Sequence, residues 1–242
     1  MTRDEARSKI IFALDVDNFT AAKHWVATLC GQVGMFKVGK QLFTAYGPDI
    51  VRMIEDFGAE VFLDLKYHDI PNTVAMASRE AARLKVKLFN LHALGGYEMM
   101  ARTMEMMDRD FPADNRAKVL AVTILTSSTE ETLREVGIEH PVAEMVPRLA
   151  LLAKRAGLDG VVASPHEVSR IRQACGNDFL IVTPGVRPAF AATDDQKRIM
   201  TPAEAVAAGA DYLVIGRPIS AAADPLHAVE AIVDEMADSC KA

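Results

Sequence analysis

Eight short apolar runs recur along the chain, each followed by a longer stretch with helical spacing. They occupy residues 10–15, 35–38, 60–66, 88–92, 119–125, 160–163, 180–183 and 212–215. Runs this apolar suit strands covered on both faces, as in a parallel sheet. The helical stretches are 21–30, 41–57, 72–86, 95–109, 141–156, 165–174, 202–208 and 225–236. Pro at the first helical position marks several starts, at Pro71, Pro165, Pro202 and Pro225, and Gly follows many of the ends. Eight strand–helix units in 242 residues predict an α/β fold of the closed (β/α)8 TIM-barrel type. An open doubly wound sheet is the lesser reading. No linker or composition shift divides the chain, so a single domain over 1–242 is expected.

Composition narrows the functional classes. The chain is 50% hydrophobic and 25% charged, with 27 Lys+Arg against 33 Asp+Glu and a net charge of −6. An acidic chain has no diffuse attraction for nucleic acid or an anionic membrane, so neither is an expected partner. Any anionic ligand must be captured by a few placed cations. Cys30, Cys175 and Cys240 are far apart and form no CxxC, which fits a reducing compartment. The first apolar run is too short for a signal peptide, and no run approaches the ~18 residues of a membrane span. A cytoplasmic location is expected.

In a barrel of this kind, polar residues at the C-terminal ends of the strands face the ligand. Asp15, Lys37, Asp64, Lys66, His92, Thr123, Thr126 and Thr183 all stand at or near such ends, and Gly216-Arg217 follows the eighth run. Asp64 and Lys66 are two apart, so an extended strand points them to one face. A charged pair on a buried strand costs several kcal/mol unless compensated. With Asp15 and Lys37 at matching positions, it reads as a catalytic network rather than a packing device.

That network narrows the chemistry. A Lys beside carboxylates keeps its proton, so it suits protonation of a carbanion better than Schiff-base formation. The same carboxylates repel an anionic substrate group, and loss of that group as neutral CO2 relieves the repulsion. Charge logic favours decarboxylation or proton transfer without choosing between them. Segments after the seventh and eighth strands are the usual phosphate site of the fold. Thr183-Pro184-Gly185-Val186-Arg187-Pro188 and Gly216-Arg217 supply a close backbone approach and forked donors there. Residues 187–198 have the composition of a lid or an ordinary surface loop. The GxxxxGK match at 34–40 is rejected as a P-loop, because Gln41 replaces Ser/Thr and the interior is an apolar strand. The histidines show no metal-ligand spacing. Met100, Met104 and Met107 read as a packing face, with a subunit contact as one place for it.

The segment FLDLKYHDIPNTV (62–74), with FKVGKQLF (36–43), LTSS (125–128), TPGVRP (183–188), DQKR (195–198) and VIGRPI (214–219), resembles the orotidine 5′-phosphate decarboxylase family. The likeness runs from Phe12 to Arg217. It implies decarboxylation of orotidine 5′-monophosphate to UMP, the last step of de novo pyrimidine synthesis, without metal or other cofactor. It implies that Lys66 protonates C6 of the pyrimidine and that Asp64 faces the substrate carboxylate. Asp15 and Lys37 would hold the ribose hydroxyls, Lys37 also joining the charge network. Asp69 and Thr73 would reach the neighbouring site of a homodimer. Thr126 would contact the ring, and Arg187, Gln196, Gly216 and Arg217 the phosphate side. A metal-dependent phosphosugar decarboxylase or aldolase-type barrel shares the Asp-x-Lys-x-x-Asp strand end and is the alternative. Ile70-Pro71-Asn72-Thr73 after it points to the nucleotide enzyme. A non-enzymatic nucleotide-binding barrel is argued against by Asp64, Lys66 and Asp69 together.

Overall fold

The structure is a computed structural model that describes residues 1–112, 115–191 and 200–238. Its strands are β1 (Ile10–Ala13), β2 (Met35–Gly39), β3 (Glu60–Tyr67), β4 (Leu88–His92), β5 (Lys118–Val122), β6 (Gly160–Val162), β7 (Leu180–Pro184) and β8 (Tyr212–Ile215). They form a closed parallel barrel in chain order, as the eight apolar runs predict. The first six helices are α1 (Arg3–Ser8), α2 (Phe19–Leu29), α3 (Lys40–Tyr46), α4 (Asp49–Asp56), α5 (Pro71–Arg83) and α6 (Gly96–Asp110). The others are α7 (Glu130–Glu135), α8 (Val142–Arg155), α9 (Val168–Cys175), α10 (Pro202–Ala207), α11 (Arg217–Ser220) and α12 (Pro225–Asp238).

Contacts divide the chain into two compact units, Met1–Leu65 with Thr183–Ala242, and Lys66–Val182. Both β3 and β7 run across the boundary. In the first unit, Phe12 of β1 lies opposite Phe36 of β2, their rings edge-to-face at 6.1 Å. Helix α1 has no counterpart among the predicted stretches, because six residues carry too little periodicity to be seen. A capping box between Thr2 and Glu5 starts it, and Arg3 and Arg7 pair with Glu230 and Asp234 of α12. The helix predicted over 41–57 is two helices. Gly47 has φ 55 and Pro48 follows it, so α3 ends and α4 begins anew.

In the second unit, α5 begins at Pro71 as expected and packs on α6. Met100, Met104 and Met107 are 0%, 4% and 0% exposed. They fill this unit's own interior, so the suggested subunit contact is corrected. Strand β5 ends at Val122 rather than 125. Beyond it the backbone turns, and α7, unmarked by periodicity, starts at the cap Thr129.

Candidate active site

Two β-ladders place Lys37. It lies opposite Ala13 of β1 and Phe62 of β3. The Leu14 N–H donates to the Lys37 carbonyl oxygen (3.1 Å), carrying the ladder one residue past β1 and setting Asp15 beside β2. The Lys37 side chain is 11% exposed. Its Nζ donates to Asp15 Oδ1 at 2.9 Å and lies 3.6 Å from Asp64 Oδ2. Asp64 is nearly as buried as Lys37, whereas Asp15 is mostly exposed. Three of the four charges singled out in the sequence therefore meet in the first unit. One ammonium between two carboxylates leaves a net negative cluster. Desolvation makes the interaction with Asp64 the stronger per unit distance.

Gly39 lies opposite Asp64, and its one mark in the sequence is the rejected GxxxxGK match. A Cβ there would come within 3.3 Å of Lys37 Nζ and 3.5 Å of Asp15 Oδ1. The absent side chain leaves room for the ion pair against the backbone.

Lys66 follows Asp64 by two residues on β3 and is half-buried. Its backbone departs from the extended geometry that the alternation argument assumed: φ is +53, in the left-handed region. The Lys66 N–H donates to Oδ1 of Asn90 on β4 at 2.8 Å. Asn90 is fully buried. Its signal in the sequence is a lone amide inside the run LFNLH, which apolar periodicity does not weigh. Tyr67 packs its ring 6.4 Å from that of Phe89. Burial pushes its phenol up to about 12, so near neutrality it is an uncharged wall rather than an acid.

In the second unit Asp69 accepts from the Ile70 N–H at 2.6 Å, just before α5, and Thr73 lies in the first turn of α5. Asp69, Thr73 and Thr126 are exposed. Ile70 (67% exposed), next to Asp69 in the chain, and Tyr97 (48%) line one open groove with Pro71, Asn72 and the charged Glu98, Arg102 and Glu105. In the first unit, half-buried Arg187 follows β7, and its N–H donates to the Met200 carbonyl. Exposed Arg217 opens α11 directly after Gly216, where a Cβ would press to 3.2 Å from that of Ala13. Gln196 lies outside the described residues. Among the described residues no group of three or more His, Cys, Asp or Glu is placed to hold a metal ion, and no helix is long and apolar enough to cross a membrane.

Residues 8–232 match the model of the orotidine 5′-phosphate decarboxylase / HUMPS family. The chain belongs to this family. Among curated members, the orotidine 5′-phosphate decarboxylase of Geobacter sulfurreducens is 74% identical over 236 residues, covering 98% of this chain and 99% of the relative. That of Geotalea daltonii is 73% identical with the same coverage. Among solved structures, orotidine 5′-phosphate decarboxylase from Lactobacillus acidophilus has a TM-score of 0.83 at 40% identity, covering 94% of this chain and 98% of that one. An uncharacterized conserved protein from Geobacillus kaustophilus has a TM-score of 0.82, also at 40% identity, with 94% and 99% covered. The family expected from residues 62–74 and their companions is thus the family found.

Proposed function

We propose that the chain decarboxylates orotidine 5′-monophosphate to UMP and CO2, with Lys66 delivering the proton to C6. The observation that carries this reading is the buried Lys37 ammonium held between Asp15 and Asp64, with Lys66 two residues farther along the same strand. The full-length likeness to named orotidine 5′-phosphate decarboxylases supports the substrate.

The chemistry follows from charge. Asp64 lies 3.6 Å from the Lys37 ammonium, which holds it in place, and a substrate carboxylate set against it is repelled. At an effective dielectric of about 20, two like charges 4 Å apart interact by roughly 4 kcal/mol. Breaking the C6–carboxyl bond releases neutral CO2 and removes that repulsion. The electron pair left on C6 is a carbanion, which a nearby ammonium stabilises and then protonates. Lys66 leaves this step neutral and regains its proton from solvent. How far the acceleration comes from ground-state repulsion and how far from carbanion stabilisation is a matter of differential binding.

Lys37 and Asp15 are assigned to the ribose hydroxyls. Arg187, Gln196, Gly216 and Arg217 are assigned to the phosphate, which is the role the fold gives to segments after the seventh and eighth strands. Thr126 is assigned to the ring. Asp69 and Thr73 are assigned to the site of a second copy of the chain. The exposed apolar side chains of Ile70 and Tyr97, in a groove that Glu98, Arg102 and Glu105 also line, support a homodimer, because a large apolar side chain in such a groove is a common mark of a contact surface. We take residues 1–242 as one working domain, since β3 and β7 each belong to both units. A cytoplasmic setting fits the free thiols of Cys30 and Cys175.

The test is the loss of orotidine 5′-monophosphate absorbance in buffer containing EDTA. Undiminished turnover is expected. Activity abolished by EDTA and restored by magnesium would instead indicate the metal-dependent phosphosugar chemistry. For the shared site, mixing Lys66→Ala and Asp69→Ala chains is expected to restore part of the activity through hybrid dimers. No restoration would mean that each chain completes its own site.

A further inference from the structure

Lys66 is one of two described non-glycine residues with a positive φ; the other, Lys85, lies two residues past the end of α5, where a left-handed residue commonly ends a helix. Lys66 has no such excuse. It lies inside an eight-residue strand, at φ +53, where a Cβ-bearing residue is disfavoured. Such a conformation persists only where its surroundings over-determine it. One contact that does so is the hydrogen bond from the Lys66 N–H to Asn90 Oδ1, 2.8 Å long. A backbone N–H only donates, so the Asn90 atom facing it is the amide oxygen.

Asn90 is 0% exposed on β4, opposite Leu120 of β5 and flanked by the buried Phe89 and Leu91. Every other residue from 88 to 91 is apolar. A polar amide there carries a desolvation penalty that a leucine would avoid, so packing alone does not account for it. We infer that Asn90 is a positioning residue: its side-chain oxygen holds the Lys66 backbone in the left-handed conformation that aims the Lys66 ammonium.

Asn90 touches neither substrate nor the reacting atoms in this scheme. Its effect passes through the direction in which the Lys66 side chain leaves the backbone. In the extended region the same side chain would leave in a different direction, and a displacement of about 1 Å at a reacting group is enough to slow chemistry by about 100-fold. Substrate anchoring at Arg187 and Arg217 does not depend on it. The signature is therefore a fall in kcat with little change in binding.

This inference rests on the proposed role of Lys66, and the experiment separates the two. Wild type is first assayed for turnover of orotidine 5′-monophosphate; no turnover would remove the functional reading alone. Asn90→Ala and the core-compatible Asn90→Leu are then compared with wild type for kcat, for UMP dissociation constant and for exchange of the Lys66 amide proton by NMR. The expected result is kcat lower by about 100-fold, a UMP dissociation constant within about threefold, and loss of protection at the Lys66 amide. Should both variants fail to fold, Asn90→Asp, which keeps an acceptor oxygen in the same place, is expected to keep the Lys66 amide protected. A folded Ala or Leu variant with kcat within threefold of wild type would overturn the inference, as would a Lys66 amide that stays protected without the Asn90 oxygen or exchanges freely in Asn90→Asp.

Discussion

Replacing Lys37 by methionine keeps the length of the side chain and removes its charge. The consequence is set mainly by Asp64, whose carboxylate is 12% exposed and 3.6 Å from the lost ammonium. At that separation and an effective dielectric of about 20, the attraction is about 4–5 kcal/mol. Asp15 contributes less than its 2.9 Å contact suggests, because it is 67% exposed and solvent reduces such pairs to about 1 kcal/mol or below. Removing one partner of a buried pair typically costs about 3–5 kcal/mol. Lys37→Met is therefore expected to lower stability by about 3 kcal/mol, or the melting temperature by about 6–12 °C for a chain of this size. The diagnostic is a double-mutant cycle with Asp64→Asn, read by urea unfolding. If the cost comes from an orphaned carboxylate, neutralising Asp64 relieves it. The double variant should then be more stable than the sum of the two single effects by about 2 kcal/mol. Additive penalties, or a Lys37→Met variant within 0.5 kcal/mol of wild type, would refute the view that these charges act as one buried cluster.

Arg217→Ala is expected to raise KM for orotidine 5′-monophosphate by about 10–100-fold, the weight of a charge-assisted hydrogen bond to phosphate, with a smaller change in kcat; steady-state kinetics decide it. Asp159 receives Arg116 Nη1 at 2.6 Å, Nη2 at 3.1 Å and the Val119 N–H at 2.8 Å, all part-buried. Asp159→Ala should cost about 3–5 kcal/mol in thermal or urea unfolding while leaving KM unchanged. The Glu230 carboxyl is held below its ordinary 4.5 chiefly by its hydrogen bond to Arg7. Its contribution is complete above that value and disappears as pH falls through the lowered one. Glu230→Gln should thus lose up to about 1 kcal/mol at pH 7 and progressively less as pH falls through the lowered value, measured by denaturant titration across the acid range.

The barrel was legible because eight apolar runs with long intervals admit few other closures, and because Pro71, Pro202 and Pro225 mark helix starts by removing a backbone N–H that helix starts do not use. The split at Gly47-Pro48 was hidden by apolar spacing that continues in phase through the break. The short α1, α7 and α11 were hidden by length. At the site, Asp15, Lys37 and Asp64 were readable from their positions at strand ends. Gly39 and Asn90 were not. One matters through the space it leaves and the other through a bond to a backbone whose conformation, φ +53 at Lys66, no periodicity reveals.

The most direct test of the proton-delivery role is turnover of orotidine 5′-monophosphate in D2O by wild type and Lys66→Ala, with the UMP formed analysed by NMR at C6. Wild type is expected to give UMP carrying one deuterium at C6, and Lys66→Ala to lower kcat by at least about 1000-fold, within the span of a general acid's contribution. Lys66→Ala turning over at close to the wild-type rate, or UMP formed without deuterium at C6, would contradict it.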